Sequence, residues 1–192
     1  MNAYPTFQDV KLYLNISTNK DDAILVTLLK RAIAIFENLA KRSFLPVTAT
    51  KYFNADSDEV ISWDKLFIRS EDLISVSQLV INGVTVPSDE YVLEGGKPYY
   101  KIRLTNDSDF SFKAYTLDPH NSIAITGVWG YDDNIPEDVN GAIIRLTAYL
   151  YAQKDNALEL DRTQSLSNGL VIPAAIPNDV ERVAVFYRRI MQ

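Results

Sequence analysis

Residues 125–151, ITGVWGYDDNIPEDVNGAIIRLTAYLY, run from the end of a strand through a polar turn into a helix without a gap, so every other segment must attach to that joint. Ile123, Ile125, Val128 and Trp129 are β-branched or aromatic and suit a pleated surface, with Gly127 and Gly130 punctuating the run. Asp132, Asp133 and Asn134 form a turn, and Pro136 is expected at the first helical position, where its fixed φ fits and its missing N–H costs nothing. Glu137 and Asp138 then put negative charge where the helix dipole favours it. Within the helix, Val139, Ile143, Leu146 and Leu150 share one face that must meet a core. Ile144, Ala148 and Tyr151 fall on the other side, which an isolated domain would make polar. Either the last helix of the chain or a neighbouring subunit has to cover them.

A second long helix is expected from about Asp21 to Arg42, with Ile24, Leu28, Ala32, Ile35 and Leu39 on its core face and Leu25, Leu29, Ile33, Phe36 and Ala40 widening it. On this reading Leu28→Asp would bury a charge the fold cannot absorb. A brief helix precedes it, opened by Thr6 and Asp9 as a capping box with Asp in place of Glu. Between the two long helices the apolar period changes to two. Strands are expected at 47–53, 60–63, 66–68, 73–81, 84–86, 91–93, 99–104, 110–115 and 122–129, and Asn82-Gly83 supplies a type I′ hairpin turn. The fold class is therefore α+β: a helical core of about four helices, residues 1–46 and 132–192, with an inserted antiparallel β module at 47–131. Residues 152–177, AQKDNALELDRTQSLSNGLVIPAAIP, lack sustained periodicity and read as a long loop. The last helix opens at IPNDV, which repeats the IPEDV of the joint in four of five positions. Its inner face is Val180, Val183, Ala184, Tyr187 and Met191, with Arg188 and Arg189 at the cation-favouring end.

With 47% hydrophobic and 23% charged residues the chain is globular, and 192 residues bury a full core without staples. The formal charge of −6 is uneven: residues 1–46 sum to +2, residues 47–139 to −9 and residues 140–192 to +1. That distribution argues against a protein that grips nucleic-acid phosphates. The absence of cysteine removes disulfides and thiolate metal sites. No 18-residue apolar run is present, and the N-terminus lacks the basic and apolar blocks of a signal peptide, so neither a membrane span nor secretion by that route is expected. His120 stands alone in a polar turn; Asp56, Asp58 and Glu59 lack the spacing and glycine of a calcium loop; and Gly95-Gly96-Lys97 lacks that of a phosphate loop. No catalytic residue, cofactor or metal is expected, and the tyrosines and tryptophans are expected mostly in the core.

In order, TFQDVKLYLNI, DDAILVTLLKRAIAIFENLAKRSF, the β segment closing on ITGVWGY, IPEDVNGAIIRLTAYLYAQKD and IPNDVERVAVFYRR resemble the head-tail connector (adaptor) proteins of tailed bacteriophages. The resemblance spans nearly all of residues 1–192 as one connector domain. It implies a non-enzymatic virion protein, made in the host bacterial cytoplasm, that forms a ring beneath the portal, commonly of twelve copies. Such a ring joins head to tail, receives a downstream neck or tail protein and extends a channel through which DNA passes without specific binding. On that reading Ile144, Ala148 and Tyr151 face the next subunit, and Arg182, Arg188 and Arg189 face the portal. The competing readings are another neck component, such as a stopper or tail-completion protein, and a monomeric acidic binding module.

Overall fold

The computed structural model describes residues 3–113, 115, 118–154, 163–165, 171–173 and 176–189. Among these residues are four helices, two four-stranded antiparallel sheets and a two-stranded pair. They fall into two compact units, one made of Ala3–Arg42 with Ile135–Arg189 and the other of Ser43–Asn134.

In the helical unit, α1 (Phe7–Leu14) starts at the expected capping box. The Thr6 N–H donates to Asp9 Oδ2 at 2.7 Å and the Asp9 N–H donates to Thr6 Oγ1 at 3.4 Å. Asn15, at φ 55°, ends it in the left-handed conformation that asparagine tolerates. The long helix α2 is Asp22–Ala40, closed by Lys41 at φ 54°. Its buried residues are Leu25, Leu29, Ala32, Ile35, Phe36 and Ala40. The stripe expected to widen the face is thus its centre, while Ile24 is exposed and Leu28 and Leu39 are half-buried. The expectation for Leu28→Asp is corrected accordingly: a charge at the edge of the face reaches water, and Leu25 and Leu29 are the positions that cannot take one.

Helix α3 (Glu137–Gln153) buries Val139, Ile143, Leu146 and Leu150 as expected and packs on α2. α4 (Asn178–Phe186) packs on both. The two I-P-x-D-V repeats start these helices in the same way, with Pro136 and Pro177 as N-caps and not as first helical residues. Their ψ values of 141° and 129° are extended, and their carbonyls accept from the N–H groups of Asn140 and Glu181, each at 3.1 Å. Because α4 closes at Phe186, Arg188 and Arg189 lie beyond the helix and not in its last turn; Met191 lies outside the described residues. The loop expected at 152–177 begins inside α3, which runs to Gln153, and holds two short strands, β9 (Thr163–Ser165) and β10 (Val171–Pro173), paired antiparallel; residues 155–162, 166–170 and 174–175 lie outside the described ones.

The second unit pairs the sheet β1-β8-β4-β5 with the sheet β2-β3-β7-β6 around one core. The strands are β1 Val47–Phe53, β2 Val60–Ser62, β3 Lys65–Phe67, β4 Leu73–Ile81, β5 Val84–Val86, β6 Tyr91–Glu94, β7 Lys101–Leu104 and β8 Ile123–Trp129. Strand alternation is plain in β8, where Ile123, Ile125, Gly127 and Trp129 point inward. Asn82 and Gly83 take φ 51° and 79° and join Ile81 to Val84 directly, the type I′ turn the sequence required.

The strand expected at 110–115 is replaced by a turn through residues 110–113, held by local bonds that compete with a ladder. The Phe110 N–H donates to Ser108 Oγ at 3.2 Å and the Lys113 N–H to Ser111 Oγ at 3.3 Å, while buried Phe112 donates its N–H to the Trp63 carbonyl at 2.8 Å. The aromatic expectation also fails for tyrosine. None of the tyrosines is fully buried, because each phenol keeps its hydroxyl near water or a partner. Trp129 is in the core, donating Nε1–H to the Ala49 carbonyl at 2.9 Å, while Trp63 is half exposed at a turn.

Candidate assembly surfaces

The charge of the sheet unit sits on its loops. Four of its cations are held by acids of the same unit: Arg69 with Asp58 at 3.1 Å, Lys97 with Asp133 at 2.8 Å, and both Lys101 and Arg103 with Glu94. Lys101 and Arg103, by hydrogen bonding its carboxylate, hold Glu94 below the ordinary carboxylate range. Lys97 is pushed above its usual value by its hydrogen bond to Asp133. The surplus acids Asp56, Asp89, Asp107, Asp109, Asp118 and Asp132 are all exposed loop residues. Asp118 and Asp132 accept from the backbone N–H groups of His120 and Asp133 in their turns, and the described residues contain no acid or histidine group suited to hold a metal ion. His120 is exposed, its backbone N–H donating to Asp118 Oδ1 at 2.8 Å. An array of solvated carboxylates repels polyanions.

In the helical unit the second side of α3 is more closely covered than its sequence suggested. Asn140 and Thr147, both polar, are buried there, Thr147 donating its hydroxyl to the Ile143 carbonyl at 2.8 Å. Ile144, Ala148 and Tyr151 are half-buried, and the Tyr151 hydroxyl donates to Asp21 Oδ2 at 2.6 Å, tying the end of α3 to the start of α2. Arg182 and Arg188 are exposed, and Arg189 is half-buried with its N–H donating to the Ala40 carbonyl at 3.0 Å.

Two features were missed in the sequence. Lys11, within the brief first helix, is buried and donates to Asp22 at 2.7 Å and to Asn19 at 3.0 Å, which fastens α1 to α2. Arg145, on the exposed side of α3, pairs with Asp179 of α4. Tyr13 of α1 first, and Asp179 second, raise its already high pKa. A single arginine facing acid and phenol from elements 34 and 132 residues away in sequence has no local signature.

The fold defines a class: a four-helix unit joined in one chain to a pair of four-stranded antiparallel sheets. Three solved chains with a similar fold come from gene transfer agent particles. The chain aligns with one from the neck of an empty gene transfer agent particle computed with C6 symmetry at TM-score 0.62 and 16% identity, covering 99% of this chain and 92% of that one. It aligns with another from the neck of the native particle computed with C12 symmetry at TM-score 0.57 and 15% identity, covering 95% and 87%. A third, from the virion of the native particle, gives TM-score 0.63 and 16% identity over 98% and 93%. No protein-family model and no curated protein sequence matches the chain. Among the described residues no helix is long and apolar enough to cross a membrane.

Proposed function

We propose that the chain is a structural neck protein of a phage-like particle: many copies close into a ring beneath the portal, join head to tail and continue the channel through which DNA passes. The observation that carries this reading is fold likeness along almost the whole chain to neck components whose particles were computed with sixfold and twelvefold symmetry. The acidic loops of the sheet unit fit a protein that must not hold DNA, since exposed carboxylates repel the phosphate backbone. The β module is read as an insertion that carries this charge, and the helical unit as the part that packs against neighbours. The half-buried Ile144, Ala148 and Tyr151 contribute to the subunit contact, and the end of α4, with Arg182, Arg188 and Arg189, faces the portal.

The test is electron microscopy of the purified chain mixed with a portal ring, using the wild type and the double variant Arg188→Glu, Arg189→Glu. The reading expects the wild type to stack as a second ring on the portal and the variant to form rings that no longer stack. Unchanged stacking of the variant removes the assignment of these arginines, and failure of the wild type to associate with the portal removes the connector role.

A further inference from the structure

Apart from Ile24 of α2, the exposed large apolar residues described in the helical unit fall into two stripes of the same pattern and opposite charge. On α1, Asp9, Leu12 and Tyr13 stand at i, i+3 and i+4, which puts them on one face, and all three are exposed, Leu12 at 83% and Tyr13 at 54%. On α4, Arg182, Val185 and Phe186 stand at the same spacing, also exposed, Val185 at 56% and Phe186 at 79%. One stripe is acid, aliphatic, aromatic; the other is base, aliphatic, aromatic. Neither covers the other within the chain, since both remain open to solvent.

The aromatic end of the α4 stripe is also held in place from α3. Phe186 lies edge-on to Tyr187, ring centres 5.0 Å apart, and the Tyr187 hydroxyl reaches the Asp138 carboxylate at 2.9 and 3.0 Å. Exposed aromatic rings already fixed before binding lose little entropy when covered, which is the property of interface anchors.

We infer that the two stripes are the two halves of one contact between copies of this chain, with Asp9, Leu12 and Tyr13 of one subunit lying along Arg182, Val185 and Phe186 of the next. A ring requires a head-to-tail interface made of two different patches on each subunit, and these patches differ in the way that makes them complementary. Like pairing is disfavoured, because Asp9 would meet Asp9 and Arg182 would meet Arg182. The inference rests on the ring reading above and assigns the face that closes the ring. Arg182 then serves the neighbouring subunit, and Arg188 and Arg189 are left for the portal.

The absence of cysteine from the sequence makes the test direct. Leu12→Cys and Val185→Cys, both at exposed positions, are prepared as separate single variants, and each is checked for ring formation by electron microscopy. Under mild oxidation each variant alone is expected to stay uncrosslinked, whereas their equimolar mixture yields covalent dimers; the doubly substituted chain yields a ladder of covalent oligomers. Rings that form normally while the mixture gives no dimers overturn this contact and leave the ring reading standing. Dimers from either single variant alone show like pairing and overturn it as well. Failure of the wild type to form rings at any concentration, alone or with portal, removes the ring reading and this inference with it.

Discussion

Replacing Gly127 by alanine tests the packing of the sheet unit, because backbone propensity and structure predict opposite signs. Gly127 sits within β8, not at positive φ, so alanine should by propensity alone stabilise it by about 0.5–1 kcal/mol. A Cβ placed there would lie 2.0 Å from the Ser75 carbonyl oxygen, 3.1 Å from its carbon and 3.2 Å from the Val76 Cα. All three are backbone atoms of β4, so no rotamer change relieves the overlap, and the strands must part where their register already shifts on both sides of Ser75–Val76. Overpacking of this kind costs ~1–3 kcal/mol, and a backbone clash belongs at the upper end. The net expectation is a loss of ~2 kcal/mol. Gly141, exposed in α3 with nothing within 4 Å of an added Cβ, is the control, and Gly141→Ala should gain ~0.5–1 kcal/mol. Both tryptophans, Trp63 and Trp129, lie in the sheet unit, so their fluorescence in a urea titration reports that unit, while far-ultraviolet circular dichroism reports the helices. With a slope of ~2 kcal/mol per molar, Gly127→Ala should lower the fluorescence midpoint by ~1 M. A midpoint unchanged or raised would refute the reasoning.

Three further outcomes are expected. Leu29→Ala should destabilise the helical unit by ~2–5 kcal/mol, and Leu28→Ala, at the half-buried edge of the same face, by less than half as much, as measured by chemical denaturation. Tyr151→Phe removes the hydroxyl bonded to Asp21 and should cost ~1 kcal/mol in a circular-dichroism melt, with the helix content unchanged. Glu94→Gln should be less stable than the wild type at neutral pH, by tryptophan-monitored denaturation. Glu94 has a folded pKa depressed below its ordinary 4.5, so its contribution is fully present above that value and is lost as pH falls through the lower folded one. The two proteins should therefore converge in acid.

Elements whose boundaries are set by local chemistry were legible in the sequence. The Thr6–Asp9 box, the Asn82-Gly83 turn and the start of α3 near Pro136 depend on residues within a few positions of one another. The centre of α2 was displaced because nearly all of its circumference is apolar, and periodicity cannot select one stripe from two when both are leucine-rich. Phe110–Lys113 has the composition of a strand, yet serine hydroxyls take the backbone N–H groups that a ladder would need. Lys11 and Arg145 were invisible for a different reason: a buried or bridging cation is specified by partners elsewhere in the fold, Asp22 for one and Tyr13 with Asp179 for the other. Of the candidate surface, the apolar character of Ile144, Ala148 and Tyr151 was legible and their partial covering within the chain was not. The matching stripes on α1 and α4 emerge only when exposure is known, since Leu12 and Phe186 look in sequence like any other core residue.

The central claim is that this chain assembles into a closed ring, and the mass of the purified protein under native conditions addresses it most directly. The subunit mass is 21.7 kDa, so a twelvefold ring, the symmetry with which one matched neck was computed, would weigh twelve times this, about 260 kDa, and a sixfold ring half as much. The account predicts a discrete species at such a multiple, alone or upon addition of a portal ring. A particle that stays at the mass of one chain at every concentration, with and without portal, would contradict it.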